Sequence, residues 1–369
     1  MMWVRCNMNR TLIALALGII TALGLTGCGV QQEAVTHDEI MSQLPDKTKA
    51  SLERSNDPKE IDKEFRKRFE ATQKTAHNIV KQDGDTITVK HQLGTTVMPK
   101  EHKRIVVIRA EDPMIALDEP FIAASYNDKS YLYKDLVARN VQHISINDET
   151  KSINYEQVQA LKPDLIIMRD SYGQGAYDAL SKIAPTITVN VNKEEVALLS
   201  IAYALGVPEK GEMRLKAYYD HAKQIRIALA DHMNSETTAV LRILNKEIRL
   251  YSYLRSDMTS FMAELLNIKP ADMVLESELN ASNHAISLER LPDLDAGYLV
   301  VTAGYGSTSS NNSNIAMERL TNMEKDDLWK NLTAVKEKHV LLVDSSLWLA
   351  HGIIAKELAM DDLYNAWGK

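Results

Sequence analysis

Cysteine is nearly absent. The 369-residue chain has two, Cys6 and Cys28, both near the N-terminus. Neither a disulfide framework nor a cysteine-ligated metal cluster can therefore form in the body of the protein. A basic excess is absent too: 43 Lys and Arg against 50 Asp and Glu leave a net charge of −7. That excludes a general nucleic-acid binder, which needs a positively charged face. Aromatic residues are sparse at 6%, but 45% of the chain is hydrophobic and 25% charged. This is globular composition and excludes global disorder and collagen-like repeats. Long apolar runs are confined to Leu12–Ile20, so a multi-span membrane protein is excluded. No Gly-x4-Gly-Lys-[Ser/Thr], Gly-x-Ser-x-Gly or His-Glu-x-x-His pattern occurs, which removes the commonest signatures of nucleotide, serine-hydrolase and zinc-protease sites. The ten histidines are scattered, with no His-x-His pair. A direct zinc or manganese carrier would need three or four converging ligands.

The one apolar run has a context. Arg5 and Arg10 precede Leu12–Ile20, and Leu25-Thr26-Gly27-Cys28 follows it. A charged start, an apolar centre and small residues at the exit are the parts of a secretory signal. The expectation is a signal peptide over 1–27 with Cys28 as the first mature residue, carrying a lipid. Lipid attachment holds a soluble body at a membrane without a spanning helix. Residues 28–84 read as a polar, partly helical stalk. Within it Ile61, Phe65, Phe69, Thr72, Ala76 and Ile79 recur at helical spacing after the start signal Asn56-Asp57-Pro58. Such a helix either packs one stripe on the body or presents a docking surface.

From Arg104 onward, short β-branched runs alternate with helical patterns. Strands are expected near 86–89, 105–108, 121–125, 143–146, 165–168, 186–190, 239–244, 248–252, 298–301 and 339–343, which argues for α/β layers with mostly parallel sheets. An internal repeat divides them. Ile153-Asn154-Tyr155-Glu156 leads through Leu161 to the strand at 165, and Ile286-Ser287-Leu288-Glu289 leads through Leu294 to the strand at 298. Both copies read as cap, short helix, turn, strand. Two copies this far apart indicate two lobes of similar build rather than a solenoid. Between them Leu215, Tyr218, Tyr219, Ala222, Ile225 and Leu229 form one stripe of a long helix that opens at Pro208.

These phrases resemble the ferric-siderophore-binding lipoproteins of ABC importers. The resemblance lies in Leu25-Thr26-Gly27-Cys28, which resembles a lipobox, and in Arg104-Ile105-Val106-Val107-Ile108, Leu161-Lys162-Pro163-Asp164-Leu165, Ser181-Lys182-Ile183-Ala184-Pro185, Ile248-Arg249-Leu250-Tyr251, Ile286–Leu291 and Asp344-Ser345-Ser346-Leu347-Trp348. It covers roughly residues 85–369. It implies two Rossmann-like α/β lobes bridged by one long rigid α-helix: an N-terminal lobe over 85–207, the connecting helix over 208–235 and a C-terminal lobe over 236–369. It further implies a monomeric, non-enzymatic carrier with no nucleic-acid partner, held at the extracytoplasmic membrane face. Such a carrier takes an Fe(III)-siderophore between its lobes and delivers it to an ABC permease dimer driven by a cytoplasmic ATPase. Related members carry haem or cobalamin. The alternatives from other classes are an extracytoplasmic lipoprotein hydrolase and a structural or adhesive lipoprotein. The family's permease-docking glutamates correspond to Glu156 and Glu289; each carboxylate would equally complement a helix N-terminus.

Ligands of α/β carriers bind beyond strand ends, and an anionic chelate calls for guanidinium forks, hydroxyls and aromatic faces. The expected ligand-binding residues are therefore Arg109, Arg169, Tyr172, Tyr251, Tyr253, Arg255, Tyr305, Trp348 and His351. Arg242, which alternates within a strand, joins them. His351 serves either as a hydrogen-bond partner or as a ligand contact. The loop Gly304–Asn312 either lines the cleft or is plain surface.

Overall fold

Alternation of side chains builds the N-terminal lobe. Ile105 and Val107 enter one hydrophobic cluster and Val106 and Ile108 another. Leu165 and Ile167 alternate with Ile166 and Met168 in the same way. A strand with both faces buried needs a helical layer on each side, the signature of a parallel sheet. In the computed structural model, which describes residues 36–147, 150–233, 236–306 and 310–369, this sheet is entirely parallel. Its spatial order is Thr186–Val189, Leu165–Arg169, Ile105–Ile108, Ala123–Ala124, Gln142–His143. The strands expected at 121–125 and 143–146 are thus shorter than the sequence suggests. A three-stranded antiparallel meander over Val80–Asp83, Thr86–His91 and Gly94–Pro99 precedes the sheet. The signal segment 1–27 and Cys28 lie outside the described residues, as do positions 234–235 of the connecting helix.

The C-terminal lobe is mixed rather than all-parallel. Thr237–Ile243 lies parallel to Tyr298–Ala303, which is parallel to Val340–Val343. On its other side Thr237–Ile243 forms an antiparallel hairpin with Ile248–Tyr251, which pairs antiparallel with Asn283–Ile286. The tight connection, with the Leu244 N–H donating to the Glu247 carbonyl at 2.9 Å, leaves no room for the crossover that a parallel pair requires. Between the lobes runs Pro208–Met233, 26 residues long, burying Leu215, Tyr218, Tyr219, Ala222, Ile225 and Leu229. The final helix, Ile353–Trp367, packs on this spine and on the short helix Glu111–Ala116 of the first lobe.

The segment read as a stalk lies on the body. Asp57 caps helix Pro58–Ile79 by accepting from the Lys59 and Glu60 N–H groups. The helix buries Ile61, Phe65, Thr72 and Ala76 against helix Glu194–Ala204 and the spine. Upstream, Ile40 and Leu44 enter the C-terminal lobe's own core. Charges along the segment that composition assigns to solvent have partners. Arg54 donates to the carbonyls of Ala263 and Glu264, each at 3.0 Å. Arg68 donates to Glu195 at 2.8 Å and to Glu264 at 3.1 Å. The fully buried Arg226 of the spine reaches back to the Ser55 carbonyl and to Asn56 and Glu64. Residues 37–79 therefore form a brace touching both lobes.

The two copies of the repeat differ in detail. Asn154 caps helix Tyr155–Ala160 by accepting from the Gln157 N–H at 3.0 Å. Ser287 makes no such cap, and Leu288–Leu294 is a 3-10 helix with Pro292 inside it. Proline has no N–H to extend the ladder. Instead the backbone N–H of Glu289 itself and the Ser287 hydroxyl hold the Glu289 carboxyl below its usual range. Glu156 and Glu289 are both exposed.

Candidate functional site

Three chain crossings of the first lobe end at one place. Arg109 follows Ile105–Ile108, Arg169 ends Leu165–Arg169, and Val191 follows Thr186–Val189. Tyr305 and Gly306, after Tyr298–Ala303, and the stretch from Ser346 to His351, after Val340–Val343, face them from the second lobe. Together they enclose a cavity of about 320 Å³. It lies beyond the carboxyl ends of strands from both lobes, where α/β sheets place ligands.

The cation side of the cavity is built by the parallel pairing of the two central strands. Ile108 is in register with Met168, so Arg109 and Arg169 leave the sheet side by side. Arg109 adopts a left-handed φ of 53°, an uncommon conformation for a non-glycine residue and a frequent companion of ligand sites. Its N–H is held by Glu111 Oε1 at 3.0 Å and by the Ser125 hydroxyl at 2.9 Å. Arg169 donates from Nη2 to Asn192 Oδ1 at 2.9 Å, and Asn192 donates in turn to Asp257 of the second lobe at 2.6 Å. The Arg169 Nε is buried with no hydrogen-bond partner among the described residues. Lys151 adds a third cation to the lining, its Nζ on the Ser171 carbonyl.

The acidic and titratable groups are largely spent on structure. Burial pushes the Glu111 carboxyl up to about 7 despite the nearby Arg109. Asp112 accepts from the Tyr131 hydroxyl at 2.7 Å and from the N–H groups of Ile354 and Ala355 at 3.2 and 3.1 Å. It thereby caps the C-terminal helix from the other lobe. Gly352 makes this approach possible: its φ of 125° disfavours a side chain, and a Cβ would collide with the Asp112 carboxyl. Burial raises Asp112 to about 6. His351 is pushed down to about 3 by burial and by the positive charges of Arg169 and Lys356, so it faces the cavity as neutral imidazole.

The Asp112 shift sets a pH dependence. A carboxyl raised from 3.8 to about 6 on folding binds more protons folded than unfolded between those values. Its contribution is fully present below the lower value and is lost as pH rises through the upper one. Asp112→Asn lacks this titration. The stability of the native chain relative to Asp112→Asn is therefore expected to rise by about 1.4 kcal/mol per pH unit between about pH 6 and pH 4. Paired urea titrations at several pH values measure it; a difference independent of pH would contradict the assignment.

Of the residues expected at the site, Arg109, Arg169, Tyr172, Tyr305 and His351 line the cavity. Arg242 and Tyr251 stand behind it. Arg242 donates to the Gly304 carbonyl at 2.9 Å and to the Tyr251 hydroxyl at 3.3 Å, with its guanidinium 5.6 Å from the Tyr305 ring centre. It positions Tyr305. Three expected residues are elsewhere. Trp348 is 1% exposed, donates to Asp362 at 2.9 Å and packs edge-on against Phe261. In the single turn Ser345–Trp348, positions three apart share a face, so Ser345 and Trp348 turn inward while Ser346 and Leu349 turn to the cavity. Tyr253 belongs to the C-terminal core with Ile40 and Leu44. Arg255 is exposed, and its guanidinium donates to the Glu278 carbonyl at 3.0 Å. Sequence reasoning missed Glu111 and Asp112, although both follow Arg109 at the same strand end. It also missed Tyr131 and Lys151, for which loop sequence offers no signal. Positions 307–309 of the Gly304–Asn312 loop lie outside the described residues.

Among the described residues no three His, Cys, Asp or Glu side chains converge on a metal position, and no helix is long and apolar enough to cross a membrane. Two α/β lobes, one long connecting helix and a cation-lined cavity at the strand ends define a solute-binding protein of the two-lobed, helix-bridged class. Residues 121–347 match the family model described as Periplasmic binding protein, and the chain belongs to that family. It is 30% identical over 277 residues to the Fe(3+) dicitrate-binding periplasmic protein FecB of Escherichia coli (strain K12), covering 73% of this chain and 86% of that protein. It is 29% identical over 292 residues to the probable siderophore-binding lipoprotein YfiY of Bacillus subtilis (strain 168), covering 75% and 86%. The crystal structure of Staphylococcus aureus SirA complexed with staphyloferrin B shares the fold, with a TM-score of 0.64 at 24% identity, covering 76% of this chain and 97% of that one.

Proposed function

We propose that this chain is the extracytoplasmic substrate-binding lipoprotein of an ABC importer, anchored through Cys28, that captures a ferric siderophore in the interlobe cavity. The observation that carries the reading is the pairing of Arg109 and Arg169 at adjacent strand ends within a cavity lined by both lobes. The names of FecB and YfiY support it. Iron would arrive already chelated, with the protein recognising the chelate's periphery through charge-assisted hydrogen bonds. The loaded monomer would then dock on the permease dimer through Glu156 and Glu289, one from each lobe, and the cytoplasmic ATPase would drive release.

Combined Glu156→Ala and Glu289→Ala substitution is expected to reduce siderophore-dependent iron uptake in cells by about tenfold or more, each replacement removing an interface charge pair. The purified variant should keep its ligand affinity within about twofold, since neither position lines the cavity and surface substitutions are energetically mild. Undiminished uptake by this variant would overturn the docking assignment.

A further inference from the structure

We propose that Asn192 and Asp257 are positioning residues: they aim the Arg169 guanidinium from across the interlobe gap, so that the cavity's hold on its ligand depends on how the lobes sit. The proposal rests on the siderophore-binding reading above and names a device that regulates the same site.

Neither residue lines the cavity; both act through one that does. Arg169 donates from Nη2 to Asn192 Oδ1 at 2.9 Å, and Asn192 Nδ2 donates to Asp257 Oδ2 at 2.6 Å. The two partners select the residue between them. A guanidinium only donates and a carboxylate only accepts, so the link must accept at one end and donate at the other. A primary amide does both, and its two partners fix which way it is turned. The guanidinium is a rigid plane of five N–H donors. A hold on Nη2 therefore restrains the whole fork, including the buried Nε that has no hydrogen-bond partner among the described residues.

Both ends of the link are anchored. The Asn192 N–H donates to Asn190 Oδ1 at 3.0 Å, closing a turn just past the strand Thr186–Val189 of the first lobe. Asp257 belongs to the second lobe, in the loop that follows Ile248–Tyr251. Its carbonyl accepts from Lys356 Nζ at 3.0 Å, and Lys356, on helix Ile353–Trp367, is only 3% exposed. The Thr259 hydroxyl ties the same loop to the Ser252 carbonyl at 2.6 Å. The bridge thus joins a strand end of one lobe to a fixed loop of the other.

Charge alone does not account for this arrangement. Burial lowers the Arg169 guanidinium, and the neighbouring Asp170 opposes that effect, as does Asp257. Asp170 supplies counter-charge from the next position in the chain, with no need of the second lobe. What Asn192 and Asp257 add is direction. Drawing the lobes apart breaks the contact between Asn192 and Asp257 and frees the fork. By linkage, a chelate held by Arg169 favours the bridged arrangement, and whatever separates the lobes weakens the hold on the chelate.

Nitrogen-15 relaxation of the Arg169 Nε–H, assigned by its loss in Arg169→Lys, tests the bridge without any chelate. The native chain is expected to give an order parameter near about 0.8, and Asn192→Ala and Asp257→Ala values below about 0.6. Asp257→Asn keeps an acceptor and should match the native chain. Native order in Asp257→Ala would overturn the interlobe bridge, and native order in Asn192→Ala would overturn the positioning role itself. Calorimetric titration with the ferric chelate recovered from the native chain after iron-limited growth supplies the second arm. Asp257→Ala should weaken its binding about fivefold or more, part of the value of one charge-assisted hydrogen bond. Removal of a negative charge by itself would instead strengthen the binding of an anion. In an Arg169→Ala background the same substitution should change affinity by less than about twofold, because the group it acts through is gone. Equal weakening in both backgrounds would overturn the proposal. A native chain from which no ferric chelate is recovered would overturn the siderophore reading, and the relaxation result would then decide the bridge alone.

Discussion

Glu195→Ala is expected to destabilise the folded chain by about 3–5 kcal/mol, the cost of removing one partner from a buried ion pair. Glu195 is 6% exposed. Its carboxylate accepts from Arg68 Nε at 2.8 and 3.0 Å, from the Tyr219 hydroxyl at 2.8 Å and from Thr72 at 3.4 Å. Truncation leaves the Tyr219 hydroxyl and half of the Arg68 fork without acceptors. Arg68 keeps Glu264 at 3.1 Å, which places the effect at the lower end of the range. Since native chains are stable by only about 5–15 kcal/mol, this is a large fraction of the total. Glu195→Gln preserves an acceptor and should cost less than the alanine variant. Urea unfolding of the two variants measures the difference; a loss under about 1 kcal/mol for Glu195→Ala would mean that the brace formed by residues 37–79 contributes little.

Joint replacement of Arg109 and Arg169 by alanine is expected to weaken binding of the ferric ligand by about a hundredfold or more, since each charge-assisted hydrogen bond contributes about 1.5–3 kcal/mol. The fold should survive. Both side chains project from strand ends into the cavity, and the buried alternation of Ile105–Ile108 and Leu165–Met168 is untouched. The contacts that Arg109 makes with Glu111 and Ser125 use its backbone N–H, which alanine retains. Affinity within about threefold of the native chain, a change of under 1 kcal/mol, would remove both residues from the recognition surface.

The sequence disclosed what depends on local pattern. The strands Ile105–Ile108, Leu165–Arg169 and Tyr298–Ala303 were legible because each is an apolar run too short for a helix and rich in strand-forming residues. The long helix was legible because its apolar stripe, Leu215 to Leu229, continues for about four turns. The rule that ligands lie past strand ends points to Arg109, Arg169, Tyr305 and His351, and all four line the cavity. It points to Trp348 as well, but a one-turn helix intervenes and its phase turns that ring inward, away from the cavity lining. Tyr253 also follows a strand, but it is buried in the C-terminal core, a cluster that draws Ile40 and Leu44 from more than two hundred residues upstream. The same distance hid the character of the supposed stalk: its charged residues look solvated until Glu195, Arg226 and Glu264 are brought beside them. Asp112 shows the limit most clearly. Its role as cap of a helix in the other lobe depends on a glycine, Gly352, far along the chain.

The central claim is that a ferric siderophore occupies the cavity between the lobes. Native mass spectrometry of the protein purified from iron-limited cells, beside the Arg109→Ala and Arg169→Ala double variant, tests it most directly. The account predicts one iron chelate bound per native chain and its loss from the double variant. A native chain carrying no iron chelate, or a double variant carrying it undiminished, would contradict it.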